Sequence, residues 1–284
     1  MLPGVLDQAT ETMLQIARNL LDYHELMAVL AWKTIVLRYR QAYLGLMWSL
    51  LKPVALVLIF MLVRSFVGID SGEIPYPLLT YCAMVLWMFF QESASDGVAS
   101  VVGNADLIRK IYFPREILPL AAVLTKTVEL GINFVILAGL MAWYGFGAQA
   151  SIVWVPLLLV LTALASLTVC FAGAAMNVYL RDVSQLLPVL LSMLMFATPV
   201  IYPLALVQKK LLVDQAAGEW SAVLYAIYSF NPLSGIIDAF QRSMLIGAAP
   251  DWVTLGPGIA VIVVGLPLSY AIFKLAEAWF ADVI

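Results

Sequence analysis

Apolar residues run almost unbroken through six stretches of this chain, near 47–67, 76–92, 118–144, 152–179, 184–206 and 257–280. A hydrocarbon core of ~30 Å takes about 20 mostly apolar residues of helix to cross. The second stretch is short for that purpose, and the third and fourth are long enough to tilt. Unpaired backbone groups cost several kcal/mol each in lipid, which excludes open strands. A barrel would alternate apolar and polar positions in ten-residue segments, whereas these stretches are continuously apolar. The pattern predicts an all-α polytopic membrane protein with six transmembrane helices, a single domain over 1–284 and no soluble domain at either end.

Three segments break the pattern. Between Asp7, Glu11, Arg18, Asp22 and Glu25, apolar residues Leu6, Met13, Leu14, Leu20, Leu21 and Met27 recur at helical spacing. That predicts an amphipathic helix over about 6–30 lying in the membrane interface; an unstructured polar leader is the plainer alternative. The same charges interrupt the place where the apolar region of a secretory signal would lie. Residues 104–116 predict a short helix with Asn104 as N-cap, Asp106 in the first turn, Arg109 and Lys110 in the last turn, and Pro114 as a stop. Residues 219–246 are apolar but broken at Tyr228-Ser229-Phe230-Asn231-Pro232-Leu233, with Asn231 as N-cap and Pro232 at the first helical position. Each half is too short to cross, so a re-entrant helical hairpin on the outer side follows. Asp238 and Arg242 lie four residues apart, spaced to pair on one helical face.

Composition agrees with the solvent that the pattern implies: 63% of residues are hydrophobic and 12% charged, against about 45–50% apolar in a soluble domain. Mean hydropathy is +0.97. Lys33, Arg38, Arg40 and Lys52 before the first span, and Arg109, Lys110 and Arg115 after the second, mark the cytoplasmic side. The loop at 68–75 carries Asp70 and Glu73 and belongs outside; six spans then leave both termini in the cytoplasm. Lys209 and Lys210 fall on the outer side and run against the rule.

Catalytic chemistry lacks its parts. There is no phosphate-cradling GxxxxGK[ST] loop, and His24, in the leader, is the one histidine. Cys82 and Cys170 stand alone inside spans and read as packing residues. No metal site or cofactor is expected in this chain. Asp182, Asp238, Asp96 and Glu92 are scattered along span edges. Thr162, Ser166, Cys170 and Ala174 form a stripe of small residues suited to close helix approach. Lys126 and Glu129, three apart inside the third span, read as a structural pair ahead of an ion pathway.

Three segments resemble one family. RYRQAYLGLMWSLLKP (Arg38 to Pro53), LIRKIYFPREILPL (Leu107 to Leu120), and RDVSQLLPVLLSMLMFATPVIYP (Arg181 to Pro203) followed by FNPLSGIIDAFQR (Phe230 to Arg242) are similar, in this order, to the permease subunits of ABC transporters that export polysaccharides such as O-antigen, capsule and teichoic acid. The resemblance implies two permease copies around a channel in the bacterial cytoplasmic (inner) membrane. It also implies two copies of a separate nucleotide-binding subunit that carry ATP and Mg, a lipid-linked polysaccharide as cargo, and no nucleic-acid partner. It makes the segment from Asn104 the coupling element toward the ATPase, with Ile108, Arg109, Lys110, Ile111, Tyr112, Phe113 and Arg115. Arg181 and Asp182 become the inner turn before the fifth span, which Pro188 and Pro199 can bend. The hairpin with Asn231, Pro232, Asp238 and Arg242 becomes the outer gate.

A sugar conduit also wants aromatic faces on which ring C–H groups stack with little rotamer entropy lost. Trp48, Phe60 and Phe66 on the first span, with Phe196 and Tyr202 on the fifth, are the candidates; the plainer reading gives such rings to the interfacial belt or to lipid contact. Rival functions stay open at this level: an ABC exporter of a drug or lipid, a passive channel, and an intramembrane transferase acting on lipid-linked sugars.

Overall fold

The computed structural model describes residue 18 and residues 22–40, 47–68 and 72–280. Among them the chain is helical, with no strand. In chain order the helices are α1 (His24–Arg40), α2 (Met47–Val67), α3 (Tyr76–Gly103), α4 (Ala105–Lys110), α5 (Ile117–Trp143), α6 (Val155–Tyr179), α7 (Val183–Phe196), α8 (Leu204–Gln208), α9 (Ser221–Ser229), α10 (Pro232–Gln241) and α11 (Trp252–Glu277). A short 3₁₀ turn, Ala150–Trp154, leads into α6. Among the described residues, three helical stretches are long and apolar enough to cross a membrane: Ile117–Trp143, Ala150–Tyr179 and Trp252–Glu277.

Helix α3 is the hub, packed against α2, α5, α6, α7 and α10. It does not stop at residue 92, where charge first interrupts the apolar run, but continues through Gly103. The reason is tertiary. Ser93, Ala94, Gly97, Val98 and Val101 on this extension are buried, and α6 closes over them with its stripe of small residues. Thr162, Ser166, Cys170 and Ala174 are all buried, and a side chain at Gly97 would collide with Cys170 while one at Gly173 would collide with Val98. The Cys170 thiol donates to the Ser93 carbonyl. The stripe is a packing seam, and both cysteines are free and buried.

The interface helix expected over 6–30 falls largely outside the described residues. Its described part, α1, extends to Arg40 and packs on α5 through Met27, Leu30 and Ala31, which are buried. The stretch 184–206 is not one helix. α7 ends at Phe196, and at ~1.5 Å per residue its 14 residues reach ~21 Å, short of a hydrocarbon core. Residues 197–203 form tight turns instead, with the Val200 N–H donating to the Thr198 carbonyl at 2.7 Å and Pro199 and Pro203 blocking continuation. Pro188 lies inside α7.

The broken segment forms two helices, α9 and α10, the arms of the expected hairpin, the second widening into a looser turn over Arg242–Ile246 and ending at Gly247, whose φ of +77° suits glycine. The Asn231 side chain caps α10 by accepting from the Leu233 N–H at 3.1 Å and donates to Thr198 Oγ1 at 2.8 Å. Gln241 donates to the Leu79 carbonyl at 3.1 Å, and Ser151 to the Ser243 carbonyl at 2.8 Å. Side chain-to-backbone bonds therefore latch the hairpin to the start of α3 and to the 3₁₀ turn.

Candidate functional site

An open cavity of about 680 Å³ lies between α2, α3, α5 and α7. One wall is polar, made by Lys52, Gln91, Glu92, Asp96, Lys126 and Ser192; the other is apolar, with Leu56, Met88, Met195 and Phe196. The polar wall is organised around Lys126, whose side chain is 3% exposed. Its ammonium group lies 2.6 Å from Glu92, 3.1 Å from Glu129 and 3.3 Å from Asp96. Lys52 reaches the other oxygen of Glu92 at 3.3 Å. A buried cation is tolerated only when its charge is met by partners and hydrogen bonds, and three carboxylates from two helices meet it here. Behind the network, Asn133 donates to the Glu129 carbonyl at 2.9 Å and accepts from the Tyr81 hydroxyl at 3.0 Å. The pairing expected between Lys126 and Glu129 is present, within a larger network. Glu92 lies 34 residues from Lys126, so no local spacing rule links them.

The aromatic candidates separate. Phe196 lines the cavity and is 60% exposed. Phe60 is 4% exposed, packed in the helical core, and does not face the cavity. Phe66 sits near the far end of α2, well exposed but away from this lining. Tyr202 donates to the Phe196 carbonyl at 2.8 Å and so tightens the turn after α7. Trp48 belongs to α2, but its side chain lies outside the described residues.

The loop after α3 gathers seven of its eight candidates, Ile108, Arg109, Lys110, Ile111, Tyr112, Phe113 and Arg115, around a depression of about 210 Å³. Asn104 stands apart, and its side chain does not cap α4. It donates back to the Ser100 carbonyl at 2.8 Å, because Asn104 also ends α3; its own carbonyl accepts from the Leu107 and Ile108 N–H groups. Ile108 is 7% exposed and Phe113 is buried too, so both hold the loop onto the protein, whereas Tyr112 is 100% exposed and Ile111 well exposed.

The loop is clamped to the end of α11 through Arg115 and through residues the sequence did not single out, Glu116, Tyr270, Lys274 and Glu277. The Arg115 N–H donates to a Glu277 carboxylate oxygen at 3.1 Å, and its guanidinium to the Glu277 carbonyl, a favourable place for a cation at a helix C-terminus. Lys274 bridges Glu116 at 2.7 Å and Glu277 at 2.9 Å, and the Tyr270 hydroxyl donates to Glu116 at 3.2 Å. Lys274 and Glu277, three apart inside an otherwise apolar run, were the available signal.

At the inner turn, Arg181 and Asp182 are exposed. The Asp182 carbonyl starts α7 by accepting from Gln185 and Leu186. Asn177 fixes this turn, accepting from the Ser184 N–H at 3.0 Å and donating to the Val98 carbonyl at 3.3 Å. In the hairpin, Asp238 and Arg242 form no ion pair, as the helix widens from Arg242 onward. Burial nevertheless lifts the Asp238 carboxyl to about 6, against the pull of Arg242 and with Asp251 adding to the rise.

Residues 25–245 match the family described as ABC-2 type transporter. The chain belongs to this family. Its members' membrane domain thus covers most of the helices above, from α1 to the end of the hairpin. Similar proteins include the O-antigen export system permease protein RfbA of Myxococcus xanthus, 28% identical over 271 residues that cover 95% of this chain and 99% of that one. Two such permease proteins of Klebsiella pneumoniae are 24% and 22% identical, covering 94% and 95% of this chain and 97% and 99% of theirs. The likeness is end to end, so it takes in the cavity, the clamped loop and the hairpin together. As an ABC-2 transporter the chain is membrane-embedded.

Proposed function

We propose that this ABC-2 protein is the permease subunit of an ATP-driven exporter of lipid-linked polysaccharide, of the O-antigen, capsule or teichoic-acid type, in the bacterial cytoplasmic membrane. The end-to-end similarity to permeases named for O-antigen export carries the reading. Two copies face each other around the conduit, and two copies of a separate ATPase, holding ATP and Mg, dock from the cytoplasm. The chain crosses six times, by α2, α3, α5, α6, α7 completed by the 197–203 turns, and α11, with both termini cytoplasmic. The basic residues Arg109, Lys110 and Arg115 on the loop after α3 support that orientation.

Division of labour follows from energetics. Reversing a 1:99 population of closed and open channel takes roughly 5.5 kcal/mol of differential binding, which the ATPase supplies on binding nucleotide. The permease supplies the two-state element and the path. Movement of the ATPase reaches the loop around α4 through the exposed Tyr112 and Ile111, while Arg115 and Glu116 pass it to α11. The cavity sets one charged wall against a larger apolar surface, which suits a cargo that offers hydroxyls on one side and an apolar ring face on the other.

Co-purification tests the reading. An ATPase subunit is expected in stoichiometric amount by mass spectrometry with the gently solubilised permease, and Tyr112→Asp is expected to release it while leaving the permease folded. Ile108→Asp is the less clean probe, since Ile108 is buried in the permease itself. An intact permease that never retains an ATPase would return the passive-channel and transferase readings to first place.

A further inference from the structure

Helix α11 is held in two different ways along its length. At its inner end the ties are directional. Glu116, buried at the start of α5, accepts from Lys274 at 2.7 Å and from the Tyr270 hydroxyl at 3.2 Å. Lys274 also donates to Glu277 at 2.9 Å, and the Arg115 N–H donates to the other oxygen of that carboxylate at 3.1 Å. Releasing Lys274 would take a cation from a buried carboxylate, a costly step, so the loop and the end of α11 stay together. At the outer end, ~28 Å along the helix from Lys274 to Leu255, the backbone of α10 bears directly on α11. A Cβ on Gly235 would lie 2.5 Å from the Thr254 carbonyl oxygen, and one on Gly258 2.8 Å from the Pro232 Cα. Between these ends α11 packs on α6, bringing Gly265 against the Thr168 methyl and Phe273 against Phe171. Apolar contact of this kind is not directional, and packed helices slide by small shears without losing it.

We propose that α11 carries movement of the cytoplasmic loop to the outer hairpin, with Glu116, Lys274 and Glu277 as positioning residues at one end and the crossing of Gly235 and Gly258 as the contact at the other. The inference rests on the export-permease reading and adds the route by which the nucleotide state of the ATPase reaches the outer side. Both ends are fixed and the flank on α6 can shear, so a shift of the loop moves α11 along α6. Pro257 and Pro267 lie within the helix without ending it. At the outer end a shift of Thr254 and Leu255 presses on Gly235, where α10 has no side chain to bend aside. Gln241 anchors the far end of α10 to the Leu79 carbonyl, so the shift tilts α10 and does not lift it free. Asn231, at the start of α10, donates to Thr198 Oγ1 at 2.8 Å. It thereby passes the tilt to the turn after α7, beside the cavity-lining Phe196. One element is then biased from both ends, which is what a physical route of coupling requires.

The test uses the full permease with its ATPase partner in nanodiscs, with and without ATP, Mg and vanadate, read by hydrogen exchange in the 104–116 loop and in α10. In wild type the nucleotide is expected to change the protection of both segments, in α10 by at least about fivefold, the low end of an ordinary coupling between sites. Glu116→Leu with Lys274→Met is expected to keep the response of the loop and to lose most of that in α10. Gly258→Ala, which parts the crossing and leaves the clamp intact, is expected to do the same. A merely structural role would lower α10 protection equally in both nucleotide states and leave their difference unchanged. If the paired variant does not fold or does not hold the ATPase, Glu277→Gln decides in its place, because the Lys274 ammonium and the Arg115 N–H both bind that carboxylate. An α10 response that survives the clamp variant, one that survives Gly258→Ala, or a wild-type complex whose α10 does not respond overturns the inference. Failure of the wild-type permease to retain its ATPase in the same preparation overturns the export reading instead, so the two failures are distinguishable.

Discussion

Helix α10 crosses α11 backbone to backbone, and a single methyl group probes that contact. A Cβ on Gly235 would lie 2.5 Å from the Thr254 carbonyl oxygen and 2.8 Å from the Leu255 Cα; one on Gly258 would lie 2.8 Å from the Pro232 Cα and 3.0 Å from its carbonyl oxygen. Ordinary contact begins at 3.4 Å, so Gly235→Ala must part the helices by 3.4 − 2.5 = 0.9 Å along that line. Backbone atoms cannot swing aside as the end of a side chain can. Overpacking of this kind costs about 1–3 kcal/mol, offset by the gain of about 0.5–1 kcal/mol that alanine brings inside a helix. The net loss is about 0–2.5 kcal/mol, and at its centre of ~1 kcal/mol it changes the folded-to-unfolded ratio about fivefold. Gly256 is the internal control, on α11 two residues from Gly258 with nothing within 4 Å of its Cβ position. Equilibrium unfolding of the purified permease in mixed SDS micelles, followed by tryptophan fluorescence, should rank Gly256→Ala at or above wild type and both Gly235→Ala and Gly258→Ala below it. Equal behaviour of Gly235→Ala and Gly256→Ala would refute the close crossing.

Two further predictions follow from charge. Lys274→Met strips the buried Glu116 carboxylate of its cation and is expected to cost about 2–3 kcal/mol in the same unfolding assay, below the usual figure for a buried pair because Lys274 is partly exposed; adding Glu116→Leu should recover most of the loss, and no recovery would argue against the pairing. Because burial raises the Asp238 carboxyl from 3.8 to about 6, the folded state prefers its neutral form, so its contribution is complete below pH ~4 and lost as pH rises through 6. Acidifying from pH 7 to 5 should therefore raise the protection of α10 amides, measured against the intrinsic exchange rate at each pH, and Asp238→Asn should flatten that rise.

Much of this was legible along the chain. Continuous apolar runs dictate helices wherever no water is present to satisfy the backbone, and they yielded α5 and α6 nearly to their ends, whereas α11 starts earlier than the expected 257, at Trp252 where Asp251 caps it. Asn231-Pro232 announced α10 because capping is a local interaction, satisfied within two residues. The same rule failed at Asn104, where α3 ends on the residue that begins α4, and the side chain went to Ser100 instead.

What sequence decided, then, was solvent, helix content and the places where helices must start or break, since these depend on spacing within a few residues. Only the tertiary structure decided that α3 runs on past Glu92, that Phe60 turns inward while Phe196 lines a cavity, and that Arg115 and Glu116 are clamped to α11. Each depends on groups 34 to 162 residues apart. A buried charge must find its partner somewhere, but local periodicity does not say on which helix.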